Sequence, residues 1–331
     1  MTLGMRHHGD LDAVPGLIDL AVNVRPGTPP AWLRERLADV DLARYPDQRD
    51  ALAAVAARHE CDSREVLLTA GAAEAFVLLT RTLTPRRAVV VHPQFTEPEL
   101  ALTAAGHPVR RLVLAPPFAF DPARVPDDAD LVIIGNPTNP TSVLHSASAI
   151  RSLCRPGRIV VVDEAFADCV PGERESLAGE AGVVVVRSLT KTWGLAGLRV
   201  GYVLAPAPLV ERLRAAQPHW PVSSPALAAC VACSTAEAQA DAQAWASALA
   251  GRRAHLTQLL RTVPGVSVGP GSASFLLVRA DRPGLWTPLR AKGFAVRRGD
   301  TFPGLDTHWF RIAVRDEPTS TAFVEALHEL A

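Results

Sequence analysis

The sequence predicts an α/β fold with a largely parallel sheet, joined to a smaller α+β domain. Short runs rich in valine and isoleucine recur through the first two-thirds of the 331 residues. Each run is apolar at successive positions, as expected for strands that are buried on both faces of a sheet. Helical patterns lie between the runs, and polar residues follow several of them, which is typical of the ligand-binding edge of such a sheet.

Five of these runs predict the central strands, at 88–91, 131–134, 159–162, 183–186 and 200–204. The intervening patterns predict helices, of which the clearest lie at 97–105 and 146–153. Alternation of strands with helices is the pattern of βαβ units, so we expect most neighbouring strands to be parallel.

The composition changes near residue 221. An alanine-rich stretch predicts one or two helices at 226–260, followed by strands at 274–278 and 310–314 and a last helix at 320–330. The first 30 residues are rich in turn formers and predict an arm. We therefore divide the chain into an arm that belongs to the small domain (1–30), a large domain (31–220) and a C-terminal small domain (221–331).

The overall charge gives no reason to expect a nucleic acid or a membrane as partner. Basic and acidic side chains number 34 each, so the formal net charge is zero. The N-terminus has no signal-peptide pattern and no apolar stretch reaches about 18 residues, so we expect a soluble, cytoplasmic protein. Of five scattered cysteines only Cys230 and Cys233 form a C-x-x-C, and their apolar surroundings favour a buried helix face over a metal or redox site.

The most informative single residue is Lys191. It is one of only two lysines among 34 basic residues, and it lies in Ser188-Leu189-Thr190-Lys191-Thr192-Trp193, just after a predicted strand. Arginine cannot lose its proton at ordinary pH, whereas lysine can and can then attack a carbonyl carbon. Lys191 is therefore the first candidate for Schiff-base chemistry.

Four other motifs follow predicted strands or open a predicted helix. Thr69-Ala70-Gly71-Ala72-Ala73-Glu74 is a small-residue turn before a helix, which suits an anion or simply close packing. Gly135-Asn136-Pro137-Thr138-Asn139-Pro140 is a rigid turn that projects amides or forms an Asx-turn. Asp163 ends a buried strand and needs a cationic partner, either a ligand nitrogen or a structural arginine. Ser188, Thr190 and Arg199 surround Lys191 and suit a phosphate.

A phosphate cradle, a carboxylate for a ring nitrogen and a Schiff-base lysine together match pyridoxal 5'-phosphate. The chain resembles fold-type I pyridoxal-phosphate enzymes of the class I/II aminotransferase superfamily. Within it, the chain is most similar to threonine-phosphate decarboxylases of cobalamin biosynthesis, whose relatives are histidinol-phosphate aminotransferases. The resemblance spans nearly the whole chain and includes His8-Gly9-Asp10, Asn23, Arg44-Tyr45-Pro46-Asp47 and the segment 310–315. It implies a mostly parallel seven-stranded sheet flanked by helices, and a homodimer.

The resemblance also implies a role for each site residue. Lys191 would form the Schiff base and Asp163 would keep the ring nitrogen protonated. The remaining cofactor contacts would come from Gly71, Ala72, Ala73, Phe95, Asn139, Ala165, Ser188, Thr190 and Arg199, with Tyr45 reaching the site of the neighbouring subunit. The substrate would be held by His8, Asn23, Arg297 and Arg311, and Arg298 could exchange roles with Arg297.

Two departures from the superfamily pattern bear on the reaction. Phe166 replaces the usual tyrosine of the Asp-Glu-Ala-Tyr motif, which favours the decarboxylase branch, and Thr69-Ala70-Gly71 replaces the usual Gly-Asn-Gly. We therefore expect decarboxylation of L-threonine O-3-phosphate to (R)-1-amino-2-propanol phosphate, with histidinol-phosphate transamination as the alternative. A non-catalytic regulator is disfavoured, because the 30 residues before Ala31 are too few and too weakly basic for a DNA-binding helix pair.

Overall fold

A computed structural model describes residues 2–330. Its strands are β1 (Ile18–Asp19), β2 (Val66–Thr69), β3 (Ala88–His92), β4 (Val109–Val113), β5 (Leu131–Gly135), β6 (Ile159–Asp163), β7 (Val183–Ser188), β8 (Gly201–Leu204), β9 (Val266–Val268), β10 (Phe275–Ala280), β11 (Phe294–Ala295), β12 (Arg297–Arg298) and β13 (Trp309–Ala313).

The helices begin with α1 (Thr2–Met5), α2 (Ala31–Ala38), α3 (Arg49–Arg58), α4 (Ala72–Leu83), α5 (Glu97–Ala104) and α6 (Ala147–Arg151). They continue with α7 (Thr190–Trp193), α8 (Ala207–Ala215), α9 (Ser224–Cys233), α10 (Ala236–Leu260), α11 (Trp286–Ala291) and α12 (Glu317–His328). The alanine-rich stretch thus forms two helices, α9 and α10. No helix within residues 2–330 has the length and apolarity that a membrane crossing requires.

The large sheet has seven strands in the order β2-β8-β7-β6-β5-β3-β4. All neighbouring pairs are parallel except those of β8, which is antiparallel to both β2 and β7. The prediction of a mostly parallel seven-stranded sheet is therefore confirmed. Because β5, β6 and β7 run in the same direction, their carboxyl ends meet at one edge, where ligands bind in open α/β sheets.

Burial explains which strands have continuous apolar sequences. Every residue of β3 and β5 is buried, since helices cover both faces of the sheet. The edge strand β4 carries Arg110 and Arg111 with exposed side chains, and charge on an edge strand discourages pairing with another chain.

The second sheet is antiparallel, with the order β12-β13-β10-β9. A separate parallel pair joins β1, near the N-terminus, to β11, so the N-terminal arm packs with the C-terminal part of the chain. Leu20 of the arm belongs to the same apolar cluster as Phe275 and Phe310.

Helix α9 packs differently from the rest of the C-terminal segment. Its buried residues Cys230 and Cys233 are unbridged and belong to the apolar core of the large sheet. This confirms a buried helix face for the C-x-x-C pair. The domain boundaries at residues 30 and 220 stay a prediction.

Candidate active site

A cavity of about 160 Å³ opens at the carboxyl edge of the large sheet. It lies where β5, β6 and β7 end and where α4 begins. Its lining contains ten of the residues predicted from sequence, together with Phe166: Ala72, Ala73, Phe95, Asn139, Asp163, Ala165, Phe166, Ser188, Thr190, Lys191 and Arg199. Motifs that are far apart in the chain therefore build one site.

Lys191 lies on the single-turn helix α7, just after β7 ends at Ser188. Its Nζ lies 6.0 Å from the centre of the Phe166 ring. Burial among protein atoms, together with the charges of Arg311 and Arg199, lowers the pKa of this amine to about 8, while the charges of Asp163 and Asp10 oppose the shift. About a tenth of the amine is thus unprotonated near neutral pH, far more than for an ordinary lysine, and the unprotonated form is the nucleophile.

Asp163 is the last residue of β6 and is 8% exposed. One carboxylate oxygen accepts a hydrogen bond from the amide of Ala165 at 3.1 Å, and no ion pair is formed with any residue that the structure describes. Burial raises the pKa of Asp163 to about 6. The arginine partner that sequence analysis left open belongs instead to Glu164, whose carboxylate lies 2.8 Å from Arg187.

The N-terminus of α4 forms the opposite wall of the cavity. Gly71 precedes it with φ of 81°, a conformation that favours glycine, and a Cβ there would lie 2.9 Å from Nη2 of Arg199. The hydroxyl of Ser188 accepts a hydrogen bond from the amide of Thr190 at 3.2 Å. Free helical amides, two hydroxyls and a guanidinium therefore converge on a volume suited to a phosphate.

Gly201, which sequence analysis did not assign to the site, allows this wall to form. A Cβ at residue 201 would lie 2.6 Å from the carbonyl oxygen of Arg187 and 3.2 Å from the amide nitrogen of Ala72. The start of α4 could not approach β7 and β8 so closely with any side chain at that position.

Arg311 reaches from the small sheet to the cavity. Its Nη1 donates to Oδ1 of Asn139 at 2.5 Å and its Nη2 to the carbonyl oxygen of Ala21 at 2.5 Å. With its amide turned to satisfy both groups, Asn23 accepts from Nη1 and Nε of Arg311 at 2.9 and 3.2 Å. Since Oδ1 of Asn139 is held by Arg311, its Nδ2 is left as the donor for a ligand.

Arg297 is the register partner of Arg311 on the neighbouring strand. It is 2% exposed, stacks over the ring of Phe302 at 4.7 Å, and donates only to the carbonyl oxygens of His7 and Arg298. Burial lowers the pKa of Arg297 to about 10 and lowers that of Arg311 as well. Arg298 instead pairs with Asp300 away from the cavity, so the inward arginine is Arg297.

Neither Arg297 nor Arg311 forms an ion pair with a carboxylate in the described part of the chain. Two buried guanidinium groups on adjacent strands therefore have no carboxylate in direct contact, although the charge of Asp12 acts on both, and such burial is costly unless a ligand supplies a close counter-ion.

Six predicted site residues do not line the cavity: Gly71, Asn23, Arg297 and Arg311, described above, and His8 and Tyr45. His8 of the arm contacts Phe95, with ring centroids 5.6 Å apart, and its Nε2 lies 2.8 Å from the carboxylate of Glu97. Tyr45 is 76% exposed and stacks on Trp220 at 4.3 Å, so it takes no part in the site of its own subunit.

Comparison with known proteins identifies the family. Residues 15–327 match the family described as aminotransferase class I and II. The chain belongs to this family. It is 53% identical over 320 residues to a histidinol-phosphate aminotransferase of Mycobacterium tuberculosis, covering 94% of this chain and 87% of the relative. It is 30% identical over 335 residues to the threonine-phosphate decarboxylase of Salmonella typhimurium, covering 95% and 91%.

Several solved enzyme structures have the same fold. The histidinol-phosphate aminotransferase from Clostridium acetobutylicum matches with a TM-score of 0.87 at 24% identity, covering 95% of this chain and 99% of that one. The L-threonine-O-3-phosphate decarboxylase from Porphyromonas gingivalis matches with 0.85 at 22% identity and the same coverage. The histidinol-phosphate aminotransferase from Sinorhizobium meliloti, solved in complex with pyridoxal-5'-phosphate, matches with a TM-score of 0.82 at 19% identity, covering 94% of this chain and 90% of that one.

The protein is therefore a pyridoxal-phosphate-dependent enzyme, and its cavity fits that cofactor. Asp163 supplies a buried carboxylate without a cationic partner, and Lys191 supplies an amine with a lowered pKa. Gly71 leaves room beside Arg199 that a Cβ would fill. Phe166, which lines the cavity opposite Lys191, was recognised in the sequence as a departure but not as a site residue.

Proposed function

We propose that this enzyme transfers the amino group of L-histidinol phosphate to a keto acid. The observation that carries the proposal is the 53% identity with a histidinol-phosphate aminotransferase across 94% of this chain. The decarboxylase that sequence analysis placed first is supported by a relative of only 30% identity. The comparisons thus favour the alternative reaction over the first expectation.

The two buried arginines support a phosphate-bearing substrate. Arg311 and Arg297 are buried and form no direct ion pair with a described carboxylate, and a phosphate accepts several charge-assisted hydrogen bonds from guanidinium groups. Histidinol phosphate carries a phosphate and no carboxylate, whereas the amino-group acceptor carries a carboxylate. We propose that the same arginines bind one anionic group of each substrate in turn.

The site residues would divide the work as follows. When bound, pyridoxal phosphate supplies an aldehyde and an electron-accepting ring. Lys191 would bind the aldehyde and would move the proton of the substrate Cα, because its amine is unprotonated for part of the time near neutral pH. Asp163 would hold a proton at the ring nitrogen, and Asn139 would donate from Nδ2. The phosphate would be bound by the start of α4 with Ser188, Thr190 and Arg199.

We also propose a homodimer in the cytoplasm. Tyr45 and Trp220 form an exposed aromatic pair, with 76% and 54% of their surfaces accessible. Large exposed aromatic surface is typical of an interface. In a dimer, Tyr45 would contribute its hydroxyl to the phosphate site of the other subunit, so a Tyr45→Phe variant would weaken cofactor binding.

The decisive experiment gives the purified enzyme each substrate separately. With histidinol phosphate and 2-oxoglutarate we expect glutamate, measured by mass spectrometry. With threonine phosphate we expect no carbon dioxide above the rate without enzyme. Release of carbon dioxide with formation of an amino-alcohol phosphate, without glutamate formation from histidinol phosphate, would reject the proposal.

Decarboxylation of threonine phosphate is the second candidate because of Phe166. This side chain offers no phenol to the cavity and packs edge-to-face on Phe275, with ring centroids 4.9 Å apart. Phe166→Tyr adds a hydroxyl next to Lys191. If decarboxylation is the reaction, this variant should lose carbon dioxide release relative to transamination; an unchanged ratio of the two products removes Phe166 as an argument.

A further inference from the structure

A buried cluster of charges lies behind the active site, and we name it the back cluster. It consists of Arg58, Glu164, Asp168, Glu173 and Arg187. Arg187 is 2% exposed and Glu164 is 1% exposed. Three carboxylates face two guanidiniums, so the cluster carries one net negative charge when all five groups are ionised.

Arg187 connects all three carboxylates of the back cluster. Its Nη1 lies 2.8 Å from Glu164, and its Nη2 lies 2.9 Å from Asp168 and 2.6 Å from Glu173. Arg58 reaches only Asp168 and Glu173, at 3.0 and 3.2 Å. Of the two arginines, only Arg187 also binds Glu164, the residue directly after β6. Arg187 therefore links the end of β6 to the segment 168–173.

Both carboxylate oxygens of Glu164 also accept hydrogen bonds from groups outside the back cluster. Oε1 accepts from the amide of Leu177 at 2.6 Å, and Oε2 accepts from the hydroxyl of Ser176 at 2.7 Å as well as from Arg187. The side chain of Thr192 contributes a hydrogen bond that helps to lower the pKa of Asp168. Both oxygens of Glu164 are therefore bound within the protein.

Neighbouring residues alternate between the cavity and the back cluster. At the strand ends this follows from the period of two in a strand, which sends successive side chains to opposite faces. Lys191 and Thr192 instead lie on the helical turn α7, where successive side chains also point in different directions. Three cavity residues each have a sequence neighbour that belongs to, or bonds to, the back cluster: Asp163 with Glu164, Ser188 with Arg187, and Lys191 with Thr192.

We propose that Arg187 is a positioning residue that fixes Lys191 relative to Asp163 by binding, from behind, the segments that carry both. The two strand ends are hydrogen-bonded neighbours, with Asp163 in register with Val186. A salt bridge one residue further along each strand resists their sliding or twisting. The inference rests on the cofactor and not on the choice of substrate.

The chain itself offers a clean readout of the Lys191 environment. Lys292 is the only other lysine, and it pairs with Glu329 on the surface. In a Lys292→Arg background, an amine-reactive label such as trinitrobenzenesulfonate reports on Lys191, and peptide mapping separates it from the N-terminal amine. The charged groups facing the amine are Arg199, Arg311, Asp163 and Asp10, and none of them is altered.

The test compares Arg187→Met with Arg58→Met, each in this background and with the cofactor removed. Both variants leave three carboxylates and one guanidinium, but only Arg187 adjoins a cavity residue. For Arg187→Met we expect the labelling midpoint of Lys191 to rise from near 8 by about one pH unit, because a displaced amine regains water. We also expect about tenfold weaker binding of pyridoxal phosphate, measured by equilibrium dialysis.

For Arg58→Met we expect the labelling midpoint and cofactor affinity to stay near those of the parent, although its unfolding temperature falls. Equal shifts in the two variants would show a general charge effect and overturn the proposal. So would an unchanged midpoint in a folded Arg187→Met protein. If that variant does not fold, Arg187→Gln keeps one hydrogen-bond donor and adds no second lysine, and the same shift is expected in smaller measure.

Discussion

The two sides of the strand ends β6 and β7 hold their charges in opposite ways. In front, Asp163, Lys191, Arg297 and Arg311 form no ion pair with one another or with any other described residue. Behind, the five members of the back cluster are bound to one another at 2.6 to 3.2 Å. The two groups meet at adjacent residues, Asp163 and Glu164, and Arg187 is followed directly by the cavity residue Ser188.

This difference separates the charges that bind ligands from the charges that stabilise the fold. A buried charge is tolerated when a partner is present, and its cost is otherwise several kcal/mol per ion. Charges left unpaired in front are therefore best explained by partners that arrive with the cofactor and substrate. The charges of the back cluster already have partners within the protein. Removing any one of them should therefore lower the stability of the folded protein, and not its ligand affinity alone.

The largest expected effect concerns the catalytic role of Lys191, on the cavity side of the strand ends. Lys191→Ala should reduce turnover by at least about a thousandfold, because both the Schiff base and the proton transfer depend on this amine. Turnover is measured as glutamate formation at saturating substrate. Lys292→Arg is the matched control and should keep the parental rate. Activity of Lys191→Ala within tenfold of the parent would contradict the assignment of Lys191.

The second prediction concerns the contribution of the back cluster to the stability of the protein. Arg187→Met should lower the free energy of unfolding by about 3–5 kcal/mol, since it leaves three buried carboxylates with one guanidinium. Urea unfolding of the cofactor-free protein measures this difference. A loss below about 1 kcal/mol would mean that the back cluster is not a scaffold, and the contrast with the front would disappear.

In the third prediction, a substitution raises the free energy of unfolding instead of lowering it. The pKa of Asp163 is about 6 in the folded protein against an ordinary value of 3.8, so folding takes up a proton between these values. Stability from this group is therefore greatest below pH 3.8 and declines as the pH rises through 6. Asp163→Asn should stabilise the cofactor-free protein by up to about 3 kcal/mol at pH 8 and have no effect near pH 3.5.

Two measurements complete this test. Urea unfolding at both pH values gives the stability difference, and equilibrium dialysis should show weaker binding of pyridoxal phosphate to Asp163→Asn. A variant that is less stable than the parent at pH 8 would indicate that Asp163 has a partner within the protein.

The smallest expected effect concerns substrate binding. Arg311→Gln should raise the KM for histidinol phosphate by about 10- to 100-fold, the usual range for a lost hydrogen bond to a charged group. Steady-state kinetics at several substrate concentrations measures it. Arg298→Gln, which removes an arginine that already has Asp300 as partner, should change KM by less than about threefold. Similar changes in both variants would remove the distinction between paired and unpaired arginines.

Much of the fold could be predicted from the sequence because the central strands are apolar at successive positions. The five predicted strands correspond to β3, β5, β6, β7 and β8. Strand β4 was missed because its edge position places exposed arginines in the pattern, and β2 because its apolar residues are mostly leucine, whereas the predicted strands are runs rich in valine and isoleucine. The pairing of β1 with β11 depends on a contact between distant segments, which local patterns do not contain.

The candidate site could be predicted where motif chemistry is local. Lys191, Asp163 and the phosphate residues adjoin strands whose ends meet, so their convergence follows from a parallel sheet. The contact between Arg311 and Asn139 joins two different sheets and could not be derived from spacing. The choice between Arg297 and Arg298 required the strand register, which places Arg297 opposite Arg311.

Gly201 has a consequence for the interpretation of mutational data. The clash that a methyl group would create there involves only the backbone of Arg187, Ala72 and Gly71. An alanine scan scored by loss of cofactor would rank position 201 beside true ligand contacts, although a hydrogen atom is all that it presents to the neighbouring helix. Crystallographers and engineers who redesign this pocket should therefore leave residue 201 untouched and vary the side chains around it.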